Sequence, residues 1–342
     1  MSTTSLAQLS DDLTLLTGLL YSLGIIAYAA DFAFGKRRAA TSAAVTPARE
    51  PALVGAGAPA PDDVDADETD DPGKAGGAVA TAAEEPRKAS VMVRVALGLT
   101  ALGLLVHFFS ILTRGLAADR LPWGNMHEFI LAITFGAVAV YLIVAWRFKA
   151  HFAGLFVLIP VVLGIGLAST ALYTPVGALM PALKTNRWIA IHVTAAVTAS
   201  GTFIVAGAMN VMYLLAARYA KLKATGGEIG FSGVARRLPS SDVLDRLSYR
   251  IAIFGFPIWT FAIVAGAMWA DQAWGRYWGW DPKEVWSFIT WVVYAGYLHA
   301  RSTAGWRGQK AAWVQLLAFA CLMFNLFGVN LWFHGLHSYA GV

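Results

Sequence analysis

The fold class is set by stretches such as FAGLFVLIPVVLGIGLASTAL, which occupies residues 152–172. This stretch contains no charged side chain, and about 20 apolar residues are what a helix needs to cross roughly 30 Å of hydrocarbon. Only 14% of the whole chain is charged, whereas a soluble domain usually carries about 25% charged residues. We therefore predict an all-α, polytopic membrane protein.

Further apolar blocks bring the predicted number of transmembrane helices to about eight. Their approximate bounds are residues 13–34, 91–113, 125–146, 152–172, 188–217, 248–270, 282–302 and 312–332. Of the 26 lysines and arginines, 20 lie on the side reached after odd-numbered helices. Because cytoplasmic loops carry the excess of Lys and Arg, we predict that both termini lie outside. The basic excess therefore indicates topology, and we expect no nucleic-acid partner.

Residues 39–88 differ from the rest of the chain, since they are rich in Ala, Pro and acids and contain no aromatic residue. Such a stretch cannot bury enough apolar area to offset its ordering entropy, so we predict a disordered cytoplasmic linker. The linker separates an N-terminal transmembrane helix, residues 1–38, from a seven-helix core, residues 89–342. The single cysteine, Cys321, excludes an internal disulfide or a CxxC redox pair.

The most informative stretch is WGRYWGWDPKE, residues 274–284, in the outer segment 271–286 between helices six and seven. Its aromatic residues predict a flat, polarisable surface, which the glycines allow another group to approach closely. A large planar ligand such as a porphyrin would suit it. An interfacial aromatic belt is the alternative interpretation. The candidate ligand-binding residues are Trp274, Gly275, Arg276, Trp278, Gly279, Trp280 and Asp281.

Asp281 also fits a structural role at the start of helix seven. Asp281, Pro282 and Glu284 match the N-cap, N1 and N3 positions of a capping box. The two roles are compatible, because the cap would fix the angle at which the tryptophans are presented.

Two histidines reach the level of the tryptophan-rich segment from opposite ends of the core. His192 lies near the start of helix five, and His337 follows helix eight. Imidazole is a common ligand of haem iron, so this pair predicts a bis-histidine site; ordinary interfacial histidines are the alternative. His299 lies roughly 25 Å deeper than Pro282 along helix seven. An ionisable residue at that depth is a functional candidate, or a histidine that snorkels to the inner interface.

Three further histidines remain without a clear role. His107 lies in the outer half of helix two, where it fits a bundle histidine. His127 begins helix three, with Asn125 as the predicted N-cap, and His334 lies in the outer tail.

The tryptophan-rich segment, the stretch YLHAR at residues 297–301, and the motifs GVN at 328–330 and GLHSY at 335–339 resemble the CcsA/ResC family. These proteins are the haem-handling subunits of the system II cytochrome c synthetase, a haem lyase complex, and are often called CcsB in actinobacteria. The resemblance runs from about residue 91 to the end. Related tryptophan-rich segments occur in the CcmC and CcmF haem handlers of another pathway.

The resemblance implies haem b as the cofactor, with His192 and His337 as axial ligands at the tryptophan-rich segment. It implies that His299 serves an inner haem site on the transport route. It further implies a plasma-membrane location, a ResB/CcsB-type membrane partner, thiol reductant proteins, and apocytochrome c as the client whose CxxCH thiols react with the haem vinyl groups. Two positions depart from the family pattern, since His127 stands where the family has Tyr and His334 adds another imidazole.

Two other functions compete with haem delivery. A membrane b-type cytochrome that carries electrons would bury histidine pairs at matching depths, but His107 and His299 lie near opposite faces. A small-molecule transporter unrelated to haem would show no Soret absorption. Arg276 is a candidate partner for a haem propionate under the haem interpretation.

Overall fold

The computed structural model describes residues 2–34, 90–177, 183, 187–226 and 232–337. Its helices are α1 Thr3–Phe34, α2 Val91–Ala118, α3 Met126–Phe148, α4 Gly154–Ser169, α5 Arg187–Ala224, α6 Ser232–Ala235, α7 Ser241–Trp274, α8 Pro282–Thr303, α9 Gln309–Met323 and α10 Val329–Trp332. A π-helical turn, Phe324–Gly328, joins α9 to α10. The residues described contain no strand, which confirms the all-α prediction. The predicted linker, and Ser338 and Tyr339 of the tail motif, lie outside the described residues.

Seven helical segments in the described part of the chain are long and apolar enough to cross a membrane. They are α1, α2, α3, α4 with its preceding turn (His151–Ser169), α5, α7, and the continuous segment Gln309–Trp332. The predicted seventh span, α8, is not among them. Its ends carry Lys283, Glu284, His299 and Arg301, and its middle is rich in Trp and Tyr.

α8 nevertheless packs along the last of these segments. A short turn joins its end to α9, whereas its first residues lie against His337, which follows α10. Its 22 residues span about 33 Å. Because its two ends meet the two ends of a spanning segment, α8 lies antiparallel to that segment over its full depth. The count of about eight helices rests on this geometry.

The first helix belongs to the same compact unit as the core. Tight contacts at two glycines hold it there. A Cβ on Gly103 of α2 would lie 2.5 Å from the ring of Tyr21, and a Cβ on Gly154 would overlap the ring of Tyr28. Small residues that admit a large partner are typical of helix interfaces in membranes.

α5 and α3 cross in direct backbone contact at Gly201. A Cβ added at Gly201 would lie 2.6 Å from the backbone nitrogen of Ala137, so only glycine permits this approach. α5 also packs along α7. These contacts place His192, near the outer end of α5, beside the last turns of α7.

A buried ion cluster ties the outer ends of α1, α2 and α3 together. The carboxylate of Glu128 has no exposed surface and accepts hydrogen bonds from Arg114 Nε at 3.1 Å and Arg120 Nη1 at 2.7 Å. Arg114 Nη1 also lies 3.6 Å from Asp11 Oδ1. Asn125 caps α3 by accepting from the Glu128 amide at 2.9 Å, as predicted.

Candidate functional site

Asp281 caps α8 as its sequence context predicts. Its Oδ2 atom accepts from the backbone amide of Lys283 at 3.2 Å, and Glu284 Oε2 accepts from the Asp281 amide at 3.0 Å. Both halves of the capping box are therefore present. Glu284 Oε2 also accepts from the Gly279 amide at 2.8 Å, so the cap holds the tryptophan-rich segment onto α8.

The same carboxylate binds the tail that follows α10. Asp281 Oδ1 accepts from the Leu336 amide at 2.6 Å, and Oδ2 accepts from His337 Nδ1 at 2.8 Å. A Cβ on Gly335 would overlap Asp281 Oδ1, so glycine is required there. Burial raises the pKa of Asp281, but the contacts with His337 and with the amides of Leu336 and Lys283 outweigh it and bring the pKa below its ordinary value.

His192 is held by one face of α7. Its Nδ1 atom lies 2.8 Å from the carbonyl oxygen of Ala262, and its ring stacks on Trp269 with centroids 6.1 Å apart and planes 6° apart. A Cβ on Gly266 would lie 2.8 Å from His192 Cε1. Ala262, Gly266 and Trp269 follow the i, i+4, i+7 spacing of a helix face.

Trp269 links the two histidines that the sequence singled out. Its fully buried indole contacts His337 with centroids 5.8 Å apart and Trp274 with centroids 4.7 Å apart. Trp274 in turn lies 4.9 Å from His337. His192 and His337, which are far apart in the sequence, therefore belong to one cluster of four rings, which we call the ring cluster.

The other two tryptophans of the segment lie apart from the ring cluster. Trp278 meets Trp280 edge to face, at 5.8 Å and 88°, and meets Phe288 at 6.4 Å and 80°. The three indoles therefore do not form the single flat surface that the sequence predicted. The reason is that Trp274 ends α7 and turns towards the histidines, whereas Trp280 precedes α8 and is 69% exposed.

Two glycines shape the exposed part of the segment. Gly275 ends α7 with a φ of +72°, a left-handed conformation in which its amide donates to the Asp271 carbonyl at 2.8 Å; glycine adopts it without strain. The guanidinium of Arg276 lies directly against Gly279, where a Cβ would overlap it. Arg276 is exposed, so its charge stands at the outer surface.

Four of the other five histidines lie outside the ring cluster, as follows. His299 is exposed on the last turns of α8, and His334 is exposed in the tail. His107 is fully buried, and its ring meets Phe135 at 5.7 Å. His127 is also buried, and its Nδ1 atom lies 2.8 Å from the Ala168 carbonyl.

The donor set of the ring cluster fits an iron porphyrin. A carbonyl and a carboxylate only accept hydrogen bonds, so Nδ1 of His192 and of His337 each carry the proton. In a neutral imidazole this leaves the lone pair on Nε2, which is the arrangement that metal-binding histidines use. Among the residues described, no group of three or more His, Cys, Asp or Glu could hold a bare metal ion.

The surface beside His337 is indented. The indentation is lined by Asp281, Pro282, Val329, Asn330, Phe333, Gly335 and His337, so it lies next to both the cap of α8 and the tail.

Three residues of this site have no counterpart in the sequence-based prediction, namely Ala262, Gly266 and Trp269. Gly266 was the available signal, because a glycine inside a helix often marks a close approach. Ala262 acts through its carbonyl group, which side-chain patterns do not reveal.

Comparisons with known proteins agree with this architecture. The profile of the family described as "Cytochrome C assembly protein" matches residues 123–337. The cytochrome c biogenesis protein CcsA of Gloeothece citriformis is 34% identical over 269 residues, which cover 66% of this chain and 81% of that protein. CcsA of Trieres chinensis is 36% identical over 260 residues, which cover 68% and 82%.

A solved structure shares the fold. The cytochrome c haem lyase CcmF aligns with a TM-score of 0.57 and 16% identity over 96% of this chain and 47% of that one. This chain therefore spans about half the length of CcmF, and the likeness concerns the fold. The profile match and the CcsA relatives confirm the predicted resemblance: the chain belongs to the cytochrome c assembly protein family.

Proposed function

We propose that this protein handles haem in the biogenesis of c-type cytochromes, by binding haem b at its outer face and presenting it to apocytochrome c. The observation that carries the proposal is that two imidazoles each form a hydrogen bond through Nδ1. Nδ1 of His192 is bound by the Ala262 carbonyl, and Nδ1 of His337 is bound by the Asp281 carboxylate, each at 2.8 Å. Both Nε2 atoms are thereby prepared as axial ligands.

Asp281 is the positioning residue of this arrangement. Its carboxylate fixes the ring orientation and tautomer of His337 and, at the same time, the start of α8. Because it is anionic, it also makes the His337 imidazole a stronger donor towards iron. Ala262 gives His192 a neutral acceptor, so the two ligands differ in basicity.

The tryptophan-rich segment is proposed to bind the macrocycle. Trp274 contacts His337, while Trp278 and exposed Trp280 offer further ring surface at the outer face. The backbone of Gly275 allows close approach, and the exposed Arg276 guanidinium, which packs against Gly279, is available to a propionate. Bound haem supplies the vinyl groups that form thioether bonds with the CxxCH thiols, whereas the protein holds and orients.

The proposal extends to the route that haem takes through the protein, to the protein's partners and to the membrane in which it lies. His299 is proposed to ligate haem at an inner site, because it is exposed on α8 some 25 Å from Pro282. A ResB/CcsB-type subunit completes the cytochrome c synthetase in the plasma membrane, and thiol reductant proteins keep the client cysteines reduced.

The test uses the full chain purified with its ResB-type partner. His192→Gly and His337→Gly are expected to lower the haem content, measured as pyridine haemochrome, and to stop maturation of a reporter cytochrome c. His334→Gly is the matched control, since it lies three residues from His337 and is exposed. Normal haem content and normal reporter cytochrome in His337→Gly would refute the proposed ligation. Haem that stays bound in stoichiometric amount despite an excess of CxxCH peptide would instead identify an electron carrier.

A further inference from the structure

A row of buried polar side chains inside the helix bundle plays no part in the ring cluster. It consists of Tyr294 and Tyr297 on α8, Gln315 on α9 and Asn325 in the π-helical turn. Their exposed fractions are 0%, 1%, 1% and 5%. We call these four residues the buried polar row.

Each member of the row has a polar atom that no group in the described residues satisfies. These atoms are the hydroxyls of Tyr294 and Tyr297, Nε2 of Gln315 and Oδ1 of Asn325. Buried polar groups in proteins almost always have partners, from protein or ordered water. The requirement is stricter within a membrane, because hydrocarbon offers no hydrogen bonds.

The row follows the bundle from the inner to the outer side. Tyr294 and Tyr297 are three residues apart, and Gln315 and Asn325 lie ten residues apart on the buried face of their helix. With a rise of 1.5 Å per residue, Gln315 and Tyr297 lie about 9 Å above the inner ends of their helices, Tyr294 about 13 Å and Asn325 about 24 Å.

Charged groups stand at both ends of the row. At the inner end, Arg301 and Asp245 form a two-pronged ion pair with contacts of 2.6 and 2.8 Å, and the guanidinium lies near the Tyr297 ring. At the outer end, Lys283 Nζ donates to the Asn325 carbonyl at 2.8 Å. The inner ion pair and Lys283, two residues from Asp281, therefore stand near the two ends of the row.

The surroundings of the row restrict what its unsatisfied atoms can bind. Phe203 stacks on the Tyr294 ring at 3.9 Å, and Gln315 already accepts from Ser248 through Oε1 at 2.8 Å. The atoms left over comprise two hydroxyls, an amide NH₂ and an amide oxygen, with no cluster of metal ligands among the described residues. A partner must both donate and accept, and water does both.

We propose that the buried polar row binds water molecules inside the bundle, at levels between the Arg301–Asp245 ion pair and Lys283. Buried water that satisfies otherwise unpaired polar groups is a regular part of protein interiors. This inference is independent of haem binding at the outer site.

The first test is X-ray radiolytic labelling of the full chain in lipid nanodiscs, followed by mass spectrometry. Water activated in place oxidises adjacent side chains, so Tyr294 and Tyr297 are expected to be labelled although they are buried. Tyr28 and Tyr141 are the controls, because they are equally buried and their hydroxyls bond each other at 2.7 Å. Labelling of Tyr294 and Tyr297 no stronger than that of the controls would overturn the proposal.

The second test depends on the sign of a stability change. A buried hydroxyl without any partner destabilises the folded protein, so its removal raises the melting temperature. A buried hydroxyl that is bonded to water stabilises the folded protein, so its removal lowers the melting temperature. We expect Tyr294→Phe and Tyr297→Phe each to lower the melting temperature by about 2–4 °C. Tyr277→Phe is the control, since that ring is 55% exposed. An unchanged or raised melting temperature in both variants contradicts the binding of water at the row.

Discussion

Asp281 and His337, which are 56 residues apart, share a hydrogen bond of 2.8 Å between Oδ2 and Nδ1. The same carboxylate caps α8 and accepts from the Leu336 amide. One side chain thus fixes the start of a transmembrane helix and a candidate iron ligand in the same geometry. A change at Asp281 is expected to affect both the start of α8 and the position of His337, and the two effects can be separated.

Asp281→Asn separates the two roles, because asparagine is as good an N-cap as aspartate but carries no charge. We expect the melting temperature to stay near the wild-type value and the affinity for haem to fall about 10–100-fold, as for other residues that orient a metal ligand. Haem titration followed at the Soret band measures the affinity. Asp271→Asn is the control at the end of α7, and equal affinities in the two variants would contradict the proposed positioning role.

The pH dependence of haem retention follows from the lowered pKa of Asp281. A carboxyl whose pKa is lowered in the folded protein stabilises the fold above its ordinary pKa and loses this contribution as pH falls through the lowered value. The contact with His337 is therefore expected to persist at neutral pH and to weaken only below the ordinary value of 3.8. Haem retention measured across an acid titration, in wild type and in Asp281→Asn, checks this; a midpoint that both share would assign the loss to another group.

Gly266→Ala is expected to displace His192, since the new methyl group would lie 2.8 Å from its ring. The imidazole would leave the Ala262 carbonyl, and the low-spin signal of bis-histidine haem in electron paramagnetic resonance would fall by more than half. Gly296→Ala is the matched control, because that helical glycine has no heavy atom within 4 Å of an added Cβ. A retained low-spin signal in Gly266→Ala would show that the Ala262 contact does not position His192.

Trp269→Leu removes the ring that contacts both histidines. A large buried aromatic lost from a packed core costs about 3–5 kcal/mol of stability when cut to alanine, so the leucine variant is expected to lose somewhat less. The haem it retains should show a broadened Soret band, because the two imidazoles lose their common contact. Trp313→Leu, at a position 63% exposed on α9, controls for the change in composition. A sharp wild-type Soret band in Trp269→Leu would argue against this linking role.

Glu128→Gln tests the ion cluster at the outer ends of α1 to α3. The change leaves the guanidinium of Arg114, 1% exposed, without its buried counter-ion, and breaking such a pair typically costs about 3–5 kcal/mol. Thermal unfolding in detergent should show a clear decrease in melting temperature. Asp119→Asn is the control, since that residue is exposed and its left-handed backbone suits asparagine. Similar melting temperatures for the two variants would mean that water replaces the lost charge.

The parts of the site that the sequence predicts are those set by local chemistry. The capping box at Asp281 and Glu284 and the Asn125 cap of α3 depend on residues within one helical turn. The depth of His192 and His337 follows from counting residues along helices, and the structure brings both into one cluster. Helix number follows from hydropathy, including α8, although the Trp- and Tyr-rich middle of that helix lowers its apolar character.

Other features depend on contacts between distant segments. The contacts of His192 come from α7, about 70 residues further along the chain, and one of them is a backbone carbonyl. Trp274 and Trp280 diverge because they stand on opposite sides of a helix boundary. The docking of α1 against α2 depends on where the Tyr21 ring meets Gly103. The periodicity of the sequence does not reveal these contacts, because each depends on how two distant segments pack in three dimensions.

The backbone contact at Gly201 has a consequence for how the two proposed iron ligands can move. His192 lies nine residues before Gly201, about 13 Å along α5. The backbone contact therefore restricts the motion of the helix segment that carries the histidine. His337, by contrast, follows irregular backbone beyond α10, where Asp281 and neighbouring rings contact it. When haem is transferred to its client, we expect the bond from iron to His337 in the tail to break first and the bond to His192 on α5 to break last.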